Sequence, residues 1–386
     1  MSTTQKICPV YKKCGGCQLQ NMEYRDQLRY KQGKVIGLLG KYCRVDDIVG
    51  MEYPYHYRNK VQAAFGRDRR GIISGVYQSS SHRIVPIDSC LIEDKKADEI
   101  IVTVRKLMTS FKLEPFNDNT LRGFIRHVLV KRSFSTGQIM VVLVTGSAIF
   151  PSKNNFIEAL LKAHPEITTI VQNINNKFTN LVLGSRSIIL HGDGKIIDEL
   201  MGCHFRISPK SFYQINPVQT EKLYSLAMDC LDLNGKESVL DAYCGTGTIG
   251  IVAAKRGAKK VIGVELNADA VKDARENAAL NKVQNIEFIC DDAGEFITRL
   301  AFEKIHLDAV IMDPPRAGST VQFMKSVIKL APDKVVYISC NPETLARDLN
   351  YFTKNGYKTT KITPVDMFPH TNHVESVVCL TRTFNN

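Results

Sequence analysis

The stretch VVYISCNPETLARDL, residues 335–349, places a cysteine between a predicted strand and a predicted helix. Cys340 ends the strand, Asn341 and Pro342 fix the turn, and the helix begins there. A helix N-terminus favours the thiolate, which is the nucleophilic form of cysteine. Glu375, in FPHTNHVES, is a candidate general base for the same reaction. The pair predicts covalent catalysis, although a buried thiol and a solvated acid are the commoner fates of these residue types.

A second group of residues has the pattern of a cofactor site. VLDAYCGTGTIGI sets two glycines between a strand and a helix, where the backbone can approach a ligand closely. Glu265 ends the next strand and could accept both hydroxyls of a ribose. Asp291 or Asp292 ends the third strand and could contact an adenine amine, with Asp292 preferred. Together these positions predict an S-adenosylmethionine site; an oxidoreductase or a purely structural turn is the alternative.

Asp313 opens DPPR at the end of another predicted strand. Its two prolines fix a turn that would hold the carboxyl group toward the cleft, and a rigid β-turn is the plain alternative. In a methyltransferase such a turn usually indicates chemistry on an exocyclic amine, which needs no cysteine. Cysteine, S-adenosylmethionine and a base together suit a different target. A thiolate that adds to C6 of uracil makes C5 nucleophilic toward the methyl group, and a base must then remove the C5 proton.

The elements that would position these residues form two patterns. Residues 206–386 alternate strand and helix, which predicts an α/β, Rossmann-like domain with a doubly wound parallel sheet and its ligands at the carboxyl ends of the strands. Residues 1–205 are predicted to be β-rich, with a hairpin formed by FIRHVLVKRSF and QIMVVLVTG. Helices are predicted near 21–40, 94–110 and 152–163.

The positive charge lies almost entirely in the first half. Residues 1–205 carry 29 Lys and Arg against 18 Asp and Glu, whereas residues 206–386 carry 22 against 21. This asymmetry predicts a polyanion-binding region, with nucleic acid as the favoured partner, joined to a catalytic domain. The predicted phosphate contacts are Arg67, Arg69, Arg70, Arg122, Arg126, Lys131 and Arg132. Phe212 and Tyr213 could stack on a flipped base or belong to the core.

Composition excludes several other classes of protein. Apolar runs such as IMVVLV are too short to span a bilayer, and the N-terminal residues show no secretory signal, so we expect a cytoplasmic protein without a membrane partner. The 11 cysteines, an odd number, argue against a disulfide framework in that compartment. We expect a monomer, since the sequence implies no protein partner.

The motifs SFYQINPVQTEKLY, LDAYCGTGTIG, DPPRAG, YISCNPETLARDL and FPHTNHVES resemble those of the RNA uracil-5-methyltransferase family. The resemblance covers essentially the whole chain. It implies that Cys340 is the nucleophile, that Glu375 is the base, and that S-adenosylmethionine is the methyl donor. It also implies that four further side chains line the cofactor or uracil pocket: Gln214, Tyr243, Glu265 and Asp313. Thr248 stands where some relatives have Asn, and it carries little weight in this prediction.

The first half resembles the branch of this family that acts on 23S ribosomal RNA. Four cysteines, Cys8, Cys14, Cys17 and Cys90, look like the [4Fe–4S] site of those enzymes, although the residues themselves would also suit zinc. Many relatives carry a small β-barrel before the first cysteine, and seven residues precede it here, so more of the RNA binding is expected on the basic first half.

The resemblance favours methylation of a uridine in 23S ribosomal RNA. A transfer RNA uridine is the alternative substrate, and methylation of an exocyclic amine is a less favoured reaction. A cytosine-C5 enzyme would typically carry a cysteine within the turn that here reads DPPR. A non-catalytic RNA-binding protein with a relic cofactor fold would not need Cys340 and Glu375.

Overall fold

In a computed structural model, which describes residues 7–79, 81 and 83–383, the chain folds into two compact units. The first unit comprises the described residues up to 21, together with 54–199 and 206–210. The second comprises 22–53, 200–205 and the described residues from 211 onward. The sequence placed one boundary after residue 205, whereas the structure also groups residues 22–53 with the C-terminal unit.

The first unit is built on a seven-stranded sheet in the order β3-β2-β1-β4-β5-β6-β7. Its neighbouring strands are antiparallel except for the parallel pair β5 and β6. The strands are β1 (Lys60–Asp68), β2 (Gly71–Tyr77), β3 (Ile84–Pro86), β4 (Ile125–Arg132), β5 (Ile139–Thr145), β6 (Ile167–Ile174) and β7 (Arg186–His191). The helices of this unit are α1 (Tyr11–Cys14), α3 (Lys95–Ser110) and α4 (Lys153–Ala163).

The core of the first unit lies between its sheet and the helices α3 and α4. Buried apolar side chains from both helices, such as Val104 and Phe156, pack with Val128 and Leu143 of the central strands. Asp94 caps α3 by accepting a hydrogen bond from the backbone of Ala97 at 3.0 Å. The predicted helices over 94–110 and 152–163 and the predicted hairpin are confirmed.

The second unit contains another seven-stranded sheet, in the order β12-β11-β10-β13-β14-β16-β15. Its strands are β10 (Ser238–Ala242), β11 (Lys260–Glu265), β12 (Ile286–Cys290), β13 (Ala309–Met312), β14 (Lys334–Ser339), β15 (Tyr357–Val365) and β16 (Glu375–Arg382). Its helices are α2 (Tyr24–Leu39), α5 (Pro217–Leu231), α6 (Thr248–Lys255), α7 (Ala268–Leu280), α8 (Ala293–Glu303), α9 (Val321–Leu330) and α10 (Pro342–Lys354). Two further strands, β8 (Ile196–Leu200) and β9 (Cys203–Ile207), form a separate two-stranded sheet.

Strands β10 to β14 are parallel, each joined to the next by a helix or loop, and they confirm the predicted doubly wound α/β domain. The last strand, β16, reverses direction and runs antiparallel to both of its neighbours, β14 and β15. This reversal brings the start of β16 to the same edge of the sheet as the end of β14. Glu375, the first residue of β16, therefore lies at the edge of the sheet where the parallel strands end.

One cysteine pair departs from the prediction that the cysteines are not joined by disulfides. Cys230 of α5 is bonded to Cys379 of β16, and the other nine cysteines are free thiols. Both bonded residues belong to the second unit. None of the described helices is long and apolar enough to cross a membrane.

Candidate active site

A cleft opens at the edge of the second unit's sheet where the parallel strands end. Its volume is about 800 Å³, which lies within the range of about 300–1,000 Å³ typical of ligand pockets. The side chains predicted for catalysis or cofactor binding all line this cleft: Gln214, Tyr243, Glu265, Asp292, Asp313, Cys340 and Glu375. The residues predicted to bind the cofactor and the residues predicted to catalyse the reaction therefore line the same cleft.

The loop between β10 and α6 has the backbone conformation that its glycines suggest. Tyr243, Gly245 and Gly247 all have positive φ, at 65°, 55° and 80°. A Cβ added to Gly247 would lie 2.6 Å from the ring of Phe288, so that position requires glycine. A Cβ added to Gly245 would meet nothing within 4 Å, because this part of the loop faces open space in the cleft. The loop can therefore bring its backbone close to a ligand.

Two strand-end carboxylates hold this loop in place. Glu265 accepts hydrogen bonds from the backbone of Gly245 at 3.2 Å and of Asn267 at 2.8 Å. Asp241 is fully buried and accepts from the backbone of Gly250 at 2.8 Å. Burial raises the pKa of Asp241 to about 8, and the charges of Asp313 and Glu265 add to the effect.

The structure separates the two candidates at the end of β12. Asp292 lines the cleft and caps α8 by accepting from the backbone of Gly294 at 2.8 Å and of Glu295 at 3.0 Å. Asp291 instead forms an ion pair with the exposed Arg299, and that pairing lowers the pKa of its carboxyl group. Asp292 is therefore the acid of the two that is placed to meet a ligand in the cleft.

The turn that begins at Asp313 is held by a buried carboxylate of α10. Asp348 is fully buried and accepts from the hydroxyl of Tyr337 at 2.7 Å and the backbone of Ser319 at 2.8 Å. Arg347 donates to the same carboxylate and to the backbone oxygen of Ser319. Strand β14, helix α10 and the loop after DPPR are thereby joined. Burial raises the pKa of Asp313, in the turn itself, to about 7.

Cys340 follows the last residue of β14 and precedes α10, as predicted. Asn341 caps the helix by accepting from the backbone of Glu343 at 3.1 Å, and its amide donates to the backbone oxygen of Arg316 at 3.3 Å. The expected net stabilisation of the thiolate is not what this structure shows. Burial, together with the charges of Glu375 and Asp313, raises the pKa of the Cys340 thiol to about 11, against the lowering effect of the local backbone and of Arg316.

Glu375 reaches the cleft because β16 is antiparallel to β14. Ser339 of β14 pairs with Ser376 of β16, so the next residues toward the cleft, Cys340 and Glu375, occupy neighbouring positions. Glu375 is buried, and this burial, with the charge of Asp313, raises the pKa of its carboxyl group to about 8. The site therefore places a thiol beside an acid that titrates near neutral pH.

The loop between β15 and β16 is anchored by α2 through a buried ion pair that the sequence did not predict. Lys31 donates to Asp366 at 2.6 Å and to the backbone oxygen of Phe368 at 3.0 Å, and neither charged side chain is exposed. Tyr24 donates to the other oxygen of Asp366 at 2.8 Å. Gln27 bonds the backbone and ring of His370. This network fixes the segment that leads into Glu375.

Several lining residues lie within the motifs that carry the resemblance but were not singled out as site residues, among them Tyr224 in SFYQINPVQTEKLY and Phe368 in FPHTNHVES. Tyr224 lies within the amphipathic helix α5 and contacts the oxygen of Thr248 at 3.0 Å, which gives the low-weighted Thr248 a place in the cleft wall. His373, close to Glu375 in the sequence, also lines the cleft. Phe212 is 64% exposed there, as stacking on a base would need, whereas Tyr213 is buried.

The four N-terminal cysteines predicted to hold a metal are free thiols in the first unit. Cys8, Cys14 and Cys17 are close enough for each to influence the electrostatics of another, and Glu93 lies near both Cys14 and Cys90. Across the described residues, no three or more His, Cys, Asp or Glu side chains are arranged so that they could hold a metal ion. In this arrangement the cysteines do not fit an iron–sulfur cluster or zinc.

The basic side chains predicted to contact phosphates divide into exposed and buried groups. Arg67, Arg69, Arg70 and Arg122 are exposed, and Arg67 forms an ion pair with Glu114. Arg132 is half-buried and forms an ion pair with Asp94. The predictions for Arg126 and Lys131 are corrected, since each is about 5% exposed. Both donate to backbone oxygens of the first unit instead.

Comparison with known proteins gives consistent results along the whole chain. A family model described as tRNA (Uracil-5-)-methyltransferase matches residues 23–383. An "uncharacterized RNA methyltransferase" of Clostridium tetani is 44% identical over 97% of this chain and 82% of its own length. A similarly named protein of Clostridium acetobutylicum is 43% identical over 98% of this chain and 84% of its own length.

Among solved structures, the chain is similar to the Pyrococcus abyssi tRNA (uracil-54, C5)-methyltransferase in complex with S-adenosyl-L-homocysteine. The TM-score is 0.79 at 30% sequence identity, over 95% of this chain and 86% of that one. The similarity extends across both units.

Proposed function

The chain belongs to the tRNA (uracil-5-)-methyltransferase family, and from this premise we propose that it methylates C5 of a uridine in RNA through a covalent cysteine adduct. The adjacency of Cys340 and Glu375, set by the register of β14 and β16, is the observation that carries the mechanism. It supplies a nucleophile and a base on the same side of one cleft.

The cleft suits S-adenosylmethionine, which supplies an electrophilic methyl group when bound. Glu265 and Asp292 offer carboxylates at the ends of two neighbouring strands, for ribose hydroxyls and an adenine amine. The open space beside Gly245 permits close approach to the backbone. Tyr243, Gln214 and Asp313 complete the wall toward Cys340 and are assigned to the cofactor or the uracil.

In the proposed reaction the Cys340 thiolate adds to C6 of the uracil, which turns C5 into an enolate carbon. C5 then forms a bond to the methyl group as the methyl–sulfur bond breaks. Glu375 removes the proton from C5, and the Cys340–C6 bond breaks to regenerate the thiolate. One proton is released per turnover, because a C–H bond is exchanged for a C–CH₃ bond. The target base must leave its stack to enter the cleft.

RNA that contains 5-fluorouridine at the target position tests this mechanism. Fluorine at C5 cannot be removed as a proton, so Glu375 has nothing to accept and the Cys340–RNA bond should persist. We expect a protein–RNA complex that survives denaturing electrophoresis, and no complex with Cys340→Ser. The absence of a stable complex from an enzyme that methylates the unmodified RNA would contradict the covalent mechanism.

The same cysteine variant distinguishes the rival amine methyltransferase. A reaction on an exocyclic amine built around DPPR needs no thiol, so Cys340→Ser would keep its activity. The covalent mechanism instead requires almost complete loss of methyl transfer from labelled S-adenosylmethionine. Retained activity in Cys340→Ser would therefore favour the amine reaction.

We propose 23S ribosomal RNA as the substrate, on the resemblance of the N-terminal cysteines to the ribosomal branch of the family. Transfer RNA is a second candidate, supported by the similarity to the Pyrococcus abyssi tRNA enzyme. Both RNAs, prepared without 5-methyluridine, can be offered separately with labelled S-adenosylmethionine and the modified position mapped. Labelling confined to transfer RNA would overturn the ribosomal assignment.

The four-cysteine cluster remains a prediction that depends on the same resemblance. A [4Fe–4S] cluster bound by Cys8, Cys14, Cys17 and Cys90 would give a brown protein with iron and sulfide after anaerobic purification. Since the described arrangement does not fit a metal, binding would require these residues to rearrange. A colourless preparation without iron would contradict the cluster, and a zinc-loaded one would favour the alternative ion.

A further inference from the structure

A loop of the first unit, residues 175–185 between β6 and β7, exposes apolar side chains that a folded protein normally buries. Phe178 is 81% exposed and Leu181 is 70% exposed. Single exposed apolar residues are ordinary on protein surfaces. Two of them on one short loop that is held in a fixed conformation indicate a binding surface.

Three buried polar side chains hold the backbone of this loop. Arg126, 5% exposed, donates to the backbone oxygens of Lys177 at 3.1 Å and Thr179 at 2.7 Å, on either side of Phe178. Asn175, 3% exposed, donates to the backbone oxygens of Leu181 at 2.7 Å and Val182 at 3.1 Å. These hydrogen bonds from buried side chains hold the loop in a conformation that exposes the ring of Phe178 to solvent.

Asn173 completes this support at the far end of the loop. It is fully buried, accepts from the backbone of Gly184 at 2.6 Å and donates to the backbone oxygen of the same residue at 3.1 Å. A Cβ on Gly184 would lie 1.9 Å from the backbone oxygen of Ile174, so this end of the loop is closely packed. A preorganised loop lowers the entropic cost of binding through Phe178.

Phe178 lines a cavity of about 690 Å³ in the first unit. The cavity is also lined by three more rings, the buried Phe65 and Phe116 and the exposed Tyr77, and by a polar turn over 117–119. The Arg126 guanidinium lies 5.6 Å from the centre of the Phe116 ring and pairs with Asp118 at 2.9 Å. Flat rings beside amide and carboxylate groups suit a planar ligand with hydrogen-bonding edges, such as a nucleobase.

The charges around the cavity suit a ligand that carries phosphates. Lys13, Arg67 and Arg83 lie on its wall, and Lys177 is exposed beside Phe178. Asp118, one of the two acids in the wall, is paired with the buried Arg126 and presents less negative charge to a ligand. The first half of the chain also holds nearly all of the net positive charge. The bases of an RNA strand can stack on the aromatic rings, and its phosphates can pair with the basic side chains.

We propose that this cavity is a second RNA-binding site, in which an unstacked nucleobase stacks on Phe178 and the flanking phosphates contact Lys13 and Arg83. The proposal rests on the proposed function, because that function makes RNA the substrate. The site lies in the first unit, whereas the residues assigned to the chemistry lie in the second. It adds affinity for the substrate and takes no part in methyl transfer.

Binding of a fluorescein-labelled, single-stranded oligouridylate, measured by anisotropy, tests the site apart from catalysis. Phe178→Ala should raise the Kd about 5- to 150-fold, the range expected for loss of one base–aromatic stack. Phe178→Tyr should retain binding, because it keeps a ring. Ile149→Ala is the matched control, since Ile149 is also 81% exposed in the first unit and does not line the cavity.

Methyl transfer to the full RNA substrate gives a second measurement. Phe178→Ala should raise KM with little change in kcat, because the ring does not touch the reacting atoms. A Kd equal to that of the wild type in Phe178→Ala would overturn the RNA site and favour a protein partner for this surface. Equal loss in Ile149→Ala would also overturn it, by showing that general surface changes weaken binding.

These outcomes are separable from failure of the proposed function. If the wild type methylates RNA and Phe178→Ala binds oligouridylate normally, the second site is wrong and the methyltransferase mechanism stands. If the wild type methylates no uridine while Phe178→Ala loses binding, the RNA site stands and the proposed reaction is wrong.

Discussion

Cys340 and Glu375 both have raised pKa values, and each must be deprotonated before it acts: the thiol before it adds to C6, and the carboxyl group before it accepts the C5 proton. Burial raises the pKa of the thiol to about 11 and that of the carboxyl group to about 8, and the charge of Asp313 raises both. A positive charge in the same cleft would reverse part of this effect for all three groups. The residue pair is therefore suited to become active when a cationic cofactor is present.

Replacement of Glu375 by glutamine separates the two halves of the reaction. The amide keeps the size of the side chain but cannot accept the C5 proton, so turnover should fall by about 10²–10⁴-fold. Cys340 can still add to C6, and the methyl group can still be transferred. We therefore expect a methylated protein–RNA adduct to accumulate with ordinary uridine RNA, detectable by denaturing electrophoresis and mass spectrometry.

Glu303→Gln, at the exposed end of α8, is the control and should leave turnover unchanged. If Glu375→Gln turned over at the wild-type rate, another group would have to be the base.

At the scale of elements, the position of Glu375 depends on α2 as well as on the sheet. Lys31 and Asp366 are both fully buried and lie 2.6 Å apart, which anchors the loop that enters β16. Burial lowers the pKa of Lys31, and the charge of Asp366 opposes that change. Lys31 therefore keeps its positive charge in this buried position because the negative charge of Asp366 lies beside it.

Lys31→Met should destabilise the protein by about 3–5 kcal/mol, because it leaves the buried carboxylate of Asp366 without its positively charged partner. Lys34→Met, three residues further along α2, removes the partly exposed ion pair with Glu343 and should cost about 0–1 kcal/mol. Urea unfolding measures both. The double variant Lys31→Met, Asp366→Leu should recover part of the loss, and no recovery would show that the ion pair is not the cause.

The sequence predicted α2 but could not predict what Lys31 contacts. Its partner lies 335 residues away in the chain, and a lysine in a polar, basic helix normally faces solvent. Arg126 and Lys131 were misread for the same reason, since their burial depends on packing that no local pattern records. Cys340, Asp313 and Glu265 were placed correctly relative to the sheet, because parallel strands share one edge for their carboxyl ends.

For the whole molecule, the cleft concentrates acid groups in a chain whose net charge is positive. Burial raises the pKa of Asp313 to about 7 and that of Glu375 to about 8, so these two carboxyl groups of the cleft are partly protonated at neutral pH. A cation in the cleft would favour their ionised forms. Cofactor binding should therefore be linked to proton release.

The affinity for S-adenosylmethionine should increase by about tenfold as the pH rises from about 6 to about 9, because the carboxyl groups ionise across that range and attract the sulfonium. Calorimetry in buffers of different ionisation enthalpy measures both the Kd and the protons released. S-adenosylhomocysteine has no sulfonium charge and should show a much weaker dependence. An equal dependence for both ligands would show that these carboxyl groups do not respond to the sulfonium.

The second unit is discontinuous, since residues 22–53 belong with residues from 211 onward and the body of the first unit lies between them in the chain. Helix α2 is made early, but the loop that receives Lys31 is made more than 300 residues later. The first unit can complete its sheet from a nearly continuous segment, whereas the second must close a very long chain loop before α2 can dock. We therefore expect the active site to assemble late in folding, with Lys31 unpaired until the loop that carries Asp366 has formed.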